Sequence, residues 1–209
     1  TSLESVTFHC REIGSWFSKN SSLKEVVIGD EVTSIAGIPF YDCTSLESVT
    51  FHCKEIGSWF HDNLYIKKVV IGDEVTSIDN NAFSGCSGLT SVTIGNSVTR
   101  IGDRAFSNCS GLTSITIPNS VTSIAEWAFG NCSGLTSINV AKENTIYDSR
   151  DGCNAIIETA TNTLSTGCQN TVIPNSVTII GNYAFYGCSG LTSITIPNSV
   201  ISVGESAFI

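Results

Sequence analysis

The sequence predicts a solenoid: rungs of chain stacked on one another, β-rich, with a parallel sheet along one face and little helix. Three observations carry this. Leu89, Leu112 and Leu135 recur every 23 residues, and Cys86, Cys109 and Cys132 keep the same interval. The string GLTSITIPNSV occurs letter for letter at Gly111–Val121 and Gly190–Val200. Within it Leu112, Ile115 and Ile117 point inward while Ser114 and Thr116 alternate outward, the period-2 mark of a half-exposed strand. One rung cannot bury its apolar residues alone; stacked rungs bury them in one continuous core.

Each element of the rung has a reason. Thr and Ile suit a pleated strand. Pro118 ends it, because proline has no N–H to give the next rung. NSV is turn chemistry. Val121–Ile124 forms a second short strand, and AEWAFGNC turns Ala128 and Phe129 inward through a short helical or 3₁₀ turn before Cys132 closes the rung. Successive strands are joined through a full rung and so lie parallel. At roughly 4.8 Å per rung, about nine rungs make a slab on the order of 40–45 Å long.

The N-terminal part repeats as a double unit of 43 residues: TSLESVTFHC at Thr1–Cys10 returns at Thr44–Cys53, and VVIGDEVTSI at Val26–Ile35 returns at Val69–Ile78. Each double unit divides into rungs of 20 and 23 residues. Asn20 and Asn63 replace Cys at the closing position, where either side chain offers polar atoms to backbone groups in a tight turn. The expected organisation is one solenoid over 1–209, a piece of a longer chain. It comprises duplicated rungs over 1–86, regular rungs over 87–139, an inserted hairpin island over 140–170 and broken-off final rungs over 171–209.

This template of leader leucine, Ser/Thr-alternating strand, NSV turn, AF pair and closing Cys or Asn resembles the BspA-type leucine-rich repeat, over nearly the whole chain. The resemblance implies a right-handed leucine-rich-repeat slab. It also implies secretion or display on the surface of a bacterial or protozoan cell, and adhesion to host proteins or other cells. No family catalytic residue exists to carry over. The 20-residue rungs and the island depart from the usual unit.

Composition limits the partners. Charged residues make up 14% of the chain, the formal charge is −9 and the pI is about 4.6. Nucleic acid and anionic lipid both call for Lys/Arg clusters that are absent here. No apolar run is long enough for a transmembrane helix. A monomer is expected.

In the island, NAIIE and TLSTGC read as two strands around the turn TATN, with Ile157 facing Leu164 and Cys153 facing Cys168. The pair Cys153–Cys168 is the one plausible disulfide among nine cysteines. Cys43, Cys86, Cys109, Cys132 and Cys188 form a closing column expected to hold buried free thiols. His9–Cys10 and His52–Cys53 lack zinc-ligand spacing. Asp151, Gly152 and Glu158 sit at calcium-loop offsets, but Tyr147 would occupy the first ligand position. His9, His52 and His61 have no partner that is not itself a repeat copy. No enzyme, cofactor or metal is expected.

The expected function is recognition of an extracellular protein or glycan. The outward sheet positions include Thr93, Thr116, Asn139 and Thr195, with Glu25 and Lys68 near the N-terminus. Trp127 and Tyr183 lie in turns as candidate anchors. The alternative is a spacer that displays another domain and has no ligand of its own.

Overall fold

A computed structural model describes residues 2–209. The strands are β1 (Ser5–Phe8), β2 (Glu12–Ile13), β3 (Glu25–Ile28), β4 (Ser34–Ile35), β5 (Ser48–Phe51), β6 (Glu55–Ile56), β7 (Lys68–Ile71), β8 (Ser77–Ile78) and β9 (Ser91–Thr93). They continue as β10 (Arg100–Ile101), β11 (Ser114–Ile117), β12 (Ser123–Ile124), β13 (Ser137–Val140), β14 (Tyr147–Asp148), β15 (Ile156–Glu158), β16 (Thr163–Thr166), β17 (Ile179–Ile180) and β18 (Ser202–Val203). The first strands of the rungs pair in parallel as β1-β3-β5-β7-β9 and β11-β13, and the two-residue second strands as β2-β4 and β6-β8-β10-β12. The register carries the repeat: Val26 pairs with Val49, Val49 with Val69, and Ile115 with Ile138.

Burial follows the alternation. In β11 Ile115 and Ile117 are buried while Ser114 and Thr116 are exposed. Phe17, Phe40, Phe60, Phe83, Phe106 and Phe129 stack ring on ring along the core, neighbouring centroids 5.1 to 6.4 Å apart. That spacing is set by the rise from one rung to the next.

The outer turns are hydrogen-bonded turns rather than helices, as in Ala128 N–H to Ala125 O and Cys132 N–H to Phe129 O. Among the described residues, the 3₁₀ segment Arg150–Gly152 is the sole helical piece. Helix is stopped by the residue before each closing position. Lys19, Asp42, Asp62, Gly85, Asn108, Asn131 and Gly187 all have φ between 55° and 77°, the left-handed region that Gly, Asn and Asp tolerate best.

At the closing position Asn and Cys satisfy different groups. The Asn63 side-chain oxygen accepts from the N–H groups of Tyr65 and Ile66 within its own turn. The thiols of Cys43, Cys86, Cys109 and Cys132 instead donate to the carbonyls of Phe17, Phe60, Phe83 and Phe106 of the preceding rung, at 3.0 to 3.2 Å. Burial, the largest cause, raises the thiol pKa to about 12 at Cys86 and Cys132 and to about 11 at Cys188.

The island begins later than the sequence suggests. The rung led by Leu135 keeps its period as far as β14: Tyr147 lies 23 residues after Ile124, and its hydroxyl accepts from the Ile124 N–H. Buried Asn144 ties this rung to the last, donating to Pro118 O and Val121 O. The chain then reverses at Arg150–Gly152, β15 runs antiparallel to β14 and β16, and β16 pairs in parallel with β17. Arg150 pins the reversal through Asp148 at 2.7 Å and the Asn162 side-chain oxygen. The Cys188 thiol reaches back to Gly167 O at 3.7 Å, the place that a Phe carbonyl holds in the regular rungs. Ile156, Ile157 and Leu164 are fully buried, so the hairpin is part of the core rather than a projection from it.

The disulfide expected between Cys153 and Cys168 is not formed; all nine cysteines are free. The Ile157–Leu164 pairing is as expected, but a bulge between Ile156 and Ile157 sets Ile156 against Thr166. That one-residue slip turns Cys168 toward Asn154 instead of Cys153. The Cys168 thiol donates to Asn154 O and the Cys153 thiol points to Ala155 O.

Candidate recognition surfaces

The sheet face gathers most of the residues expected to meet a partner. Glu25, Ser48, Lys68 and Ser91 form one row across β3, β5, β7 and β9. Val27, Thr50, Val70 and Thr93 form the next row, and Thr116 pairs with Asn139 across β11 and β13. Two exposed ion pairs edge this face, Lys24–Glu4 at 3.0 Å and Lys67–Glu47 at 2.7 Å. The Lys67 hydrogen bond holds the Glu47 carboxyl below its ordinary range. Thr195 is exposed but lies beyond the island, in a segment with no strand partner, so it does not extend the row.

The threonines fall into two groups. Thr90, Thr99, Thr122 and Thr136 each donate their hydroxyl to a carbonyl of the preceding rung. They serve the stack. The hydroxyls of Thr93 and Thr116, on the exposed face of β9 and β11, have no hydrogen-bond partner among the described residues.

Trp127 and Tyr183 are together on the turn edge, ring centroids 4.2 Å apart, with Tyr186 4.6 Å from Trp127. The Arg104 guanidinium lies 5.5 Å from the Trp127 ring centroid. The island rung has no outer turn, so the turns ending at Cys132 and Cys188 meet directly, with Asn131 N–H donating to Tyr186 O at 3.0 Å. The cluster seals that junction and is half-buried.

Sequence reasoning missed a second feature of the turn edge. Between the turns ending at Cys43 and Asn63 lies a groove of about 310 Å³, its apolar lining formed by Ile38, Tyr41, Trp59, Leu64 and Tyr65, with Asp42 and Asp62 beside them. A polar hollow lined by Ser58, Asn81 and Ser84 shares His61 and Asp62 with it. A larger cavity of about 460 Å³ at Phe185, Leu191, Ile194 and Phe208 is the unstacked face of the last rung.

No group of three or more metal-ligating side chains occurs among the described residues, and no helix there is long and apolar enough to cross a membrane.

No curated protein sequence matches the chain. Among solved structures it is similar to a leucine-rich cell surface protein of Faecalibacterium prausnitzii, at 29% identity and TM-score 0.68, over 100% of this chain and 67% of that one. It is also similar to a leucine-rich repeat protein of Bacteroides ovatus, at 26% identity and TM-score 0.61, over 87% of this chain and 48% of that one. A leucine-rich repeat protein of Eubacterium ventriosum shares the fold at 23% identity and TM-score 0.61, over 88% of this chain and 56% of that one. The chain thus spans about half to two thirds of their lengths. The sequence matches the BspA type leucine-rich repeat region in six copies, over residues 1–63, 54–163 and 155–209. Repeat period, stacked Phe core and sequence profile agree: the chain belongs to the BspA-type leucine-rich repeat family.

Proposed function

We propose that this chain is a non-enzymatic recognition segment of a cell-surface or secreted protein, binding an extracellular protein or glycan through the sheet face. The observation that carries this is the division of the threonines. The hydroxyls that hold the stack together are spent on backbone carbonyls, whereas Thr93 and Thr116 present free donors and acceptors on a nearly flat face. Glu25 and Lys68 give one end of that face a charge pattern that a partner can read. The test is binding of the full-length parent to extracellular-matrix proteins and to cells. Thr93→Arg with Thr116→Glu should reduce binding by about tenfold or more, as loss of central contacts does. Unchanged binding sinks the sheet-face reading.

The rival reading, a stiff spacer, is favoured by the near identity of the rungs from Cys86 to Cys132, since a specific site needs distinct residues. A distal domain in the parent chain, with undiminished adhesion after deletion of these rungs, would support it.

A further inference from the structure

The two copies of the 43-residue unit are an internal control for the groove. Residues 1–20 and 44–63 are identical at 17 of 20 positions. The three differences are Arg11 against Lys54, Ser18 against His61 and Lys19 against Asp62. Immediately afterwards Ser21 and Ser22 of the first copy become Leu64 and Tyr65 in the second. On the facing turn, Ile38, Tyr41 and Asp42 stand where the second copy has Asn81, Ser84 and Gly85. Of the thirteen positions at which the 43-residue copies differ, seven line this groove in one copy or the other, although its halves come from different rungs. The direction of change is costly: small polar residues give way to large apolar ones that stay exposed, Tyr41 at 57% and Leu64 at 56%.

The backbone opens at the same place. Along the turn edge, Lys19 N–H donates to Tyr41 O, Asp62 to Ser84 O, Gly85 to Ser107 O and Asn108 to Gly130 O, at 2.6 to 2.9 Å. The corresponding bond from Asp42 N–H to His61 O is missing among the described residues. Here a long turn meets a short one: Ile56 to Asn63 spans seven residues where Ile78 to Cys86 spans eight.

We propose that this groove binds a protein segment carrying a large apolar side chain next to a lysine or arginine. The apolar side chain enters between Tyr41, Leu64 and Tyr65. The cation meets Asp42 and Asp62, which lie exposed beside the apolar wall; Asp62 has only His61 nearby, at 3.4 Å, and Asp42 has no ion pair among the described residues. On a chain of charge −9, that is a complement to a basic segment. A glycan fits less well. Branched Ile38 and Leu64 interrupt the wall that Tyr41 and Tyr65 share, and the Trp59 indole folds back over Gly57, so that a Cβ there would lie 2.7 Å from its Nε1. The proposal rests on the recognition reading above but uses a different face.

The 209-residue chain is tested against short synthetic peptides alternating Arg and Phe, length-matched peptides alternating Glu and Phe, and a panel of neutral oligosaccharides. The Arg–Phe peptides should bind, and Tyr41→Ser, Leu64→Ser and Tyr65→Ser together should weaken binding by about tenfold or more. Each serine is the residue the sister copy carries, so the fold accepts it; unchanged circular dichroism confirms this. Asp42→Asn with Asp62→Asn should cost about three- to tenfold and remove most of the salt dependence. Thr93→Arg with Thr116→Glu should leave peptide binding unchanged. Preferential binding of the Glu–Phe peptides or of an oligosaccharide, no binding at all, or full binding by the serine variant overturns the proposal while leaving the sheet-face reading standing. Loss of matrix or cell binding in the sheet-face variant alone supports that reading without bearing on the groove.

Discussion

The regular rungs from Cys86 to Cys132 and the step from Cys132 to Cys188 solve the same stacking problem in different ways. In the regular block every column advances together: Phe83, Phe106 and Phe129 stack, each thiol donates one rung back, and Thr99 and Thr122 follow suit. Across the step the columns part company. The second-strand layer is bridged by Tyr147 and the hairpin, the Cys188 thiol reaches Gly167 O in place of a Phe carbonyl, and the outer turns skip a rung and touch through Asn131 and Tyr186. The Phe column is interrupted by Gly167, where a Cβ would collide with the Phe185 ring, and resumes with Phe185 on Phe208. Period belongs to each column of contacts, and the chain can break it in one column while another continues.

The comparison is broken first at the Phe column. Phe106→Ala, with a ring stacked on either side, should cost about 3–5 kcal/mol in guanidinium unfolding, the range for removing a buried aromatic. Phe129→Ala, stacked on one side only, should cost visibly less. Equal costs would show that the column is continuous through the step. Gly167→Val forces Phe185 aside and should cost about 1–3 kcal/mol, as overpacking does. Hydrogen exchange should quicken in 171–209 and stay slow in 87–132 if the step insulates one block from the other.

The aromatic seal is a smaller effect. Trp127→Ala should cost about 1–2 kcal/mol, an aromatic contact plus partial burial, and should expose the Asn131 amide to exchange ahead of Asn108. The thiol column sharpens the comparison through pH. A thiol whose folded pKa is about 12, as at Cys86 and Cys132, binds its proton more tightly folded than unfolded, where the value is about 8.5. Its contribution is complete below about 8.5 and is lost as pH rises toward 12, by up to about 1.4 kcal/mol per pH unit per thiol. Cys86→Ala should reduce the slope of stability against pH above 8.5 under reducing conditions. Smallest is a labelling result: at mildly alkaline pH the exposed Cys10 should alkylate rapidly while the column thiols wait for unfolding.

How much of this was legible in the sequence varies with the physics. The rung, its inward faces and its parallel pairing were legible because Leu112, Ile115 and Ile117 repeat at a fixed interval and the stack has only one way to bury them. The place of the hairpin in the core was not, since nothing near it repeats: the AF pair is absent and the segment begins with a reversal at Arg150. The Cys153–Cys168 bridge failed on a single-residue bulge, which pattern alone does not show. The sheet face with Glu25, Lys68, Thr93, Thr116 and Asn139 was readable from alternation. The groove was hidden because Tyr41 and Leu64 belong to different rungs, yet a signal was present: of the thirteen differences between the two long copies, seven line one hollow.

The thiol ladder makes the redox state of the surroundings a structural variable at the cysteine-closed rungs and not at the turns that Asn20 and Asn63 close. Each closing cysteine holds its rung to the previous one with a hydrogen that oxidation would remove. A sulfinate at Cys109 would place negative oxygens against the Phe83 carbonyl, turning an attraction into a repulsion in a site with no water to screen it. Asn20 and Asn63 close their rungs with amides that do not oxidise in this way. An oxidant that reached the interior would therefore act at every cysteine-closed rung, Cys43 and Cys86 included, and spare only the bonds that Asn20 and Asn63 make within their own turns.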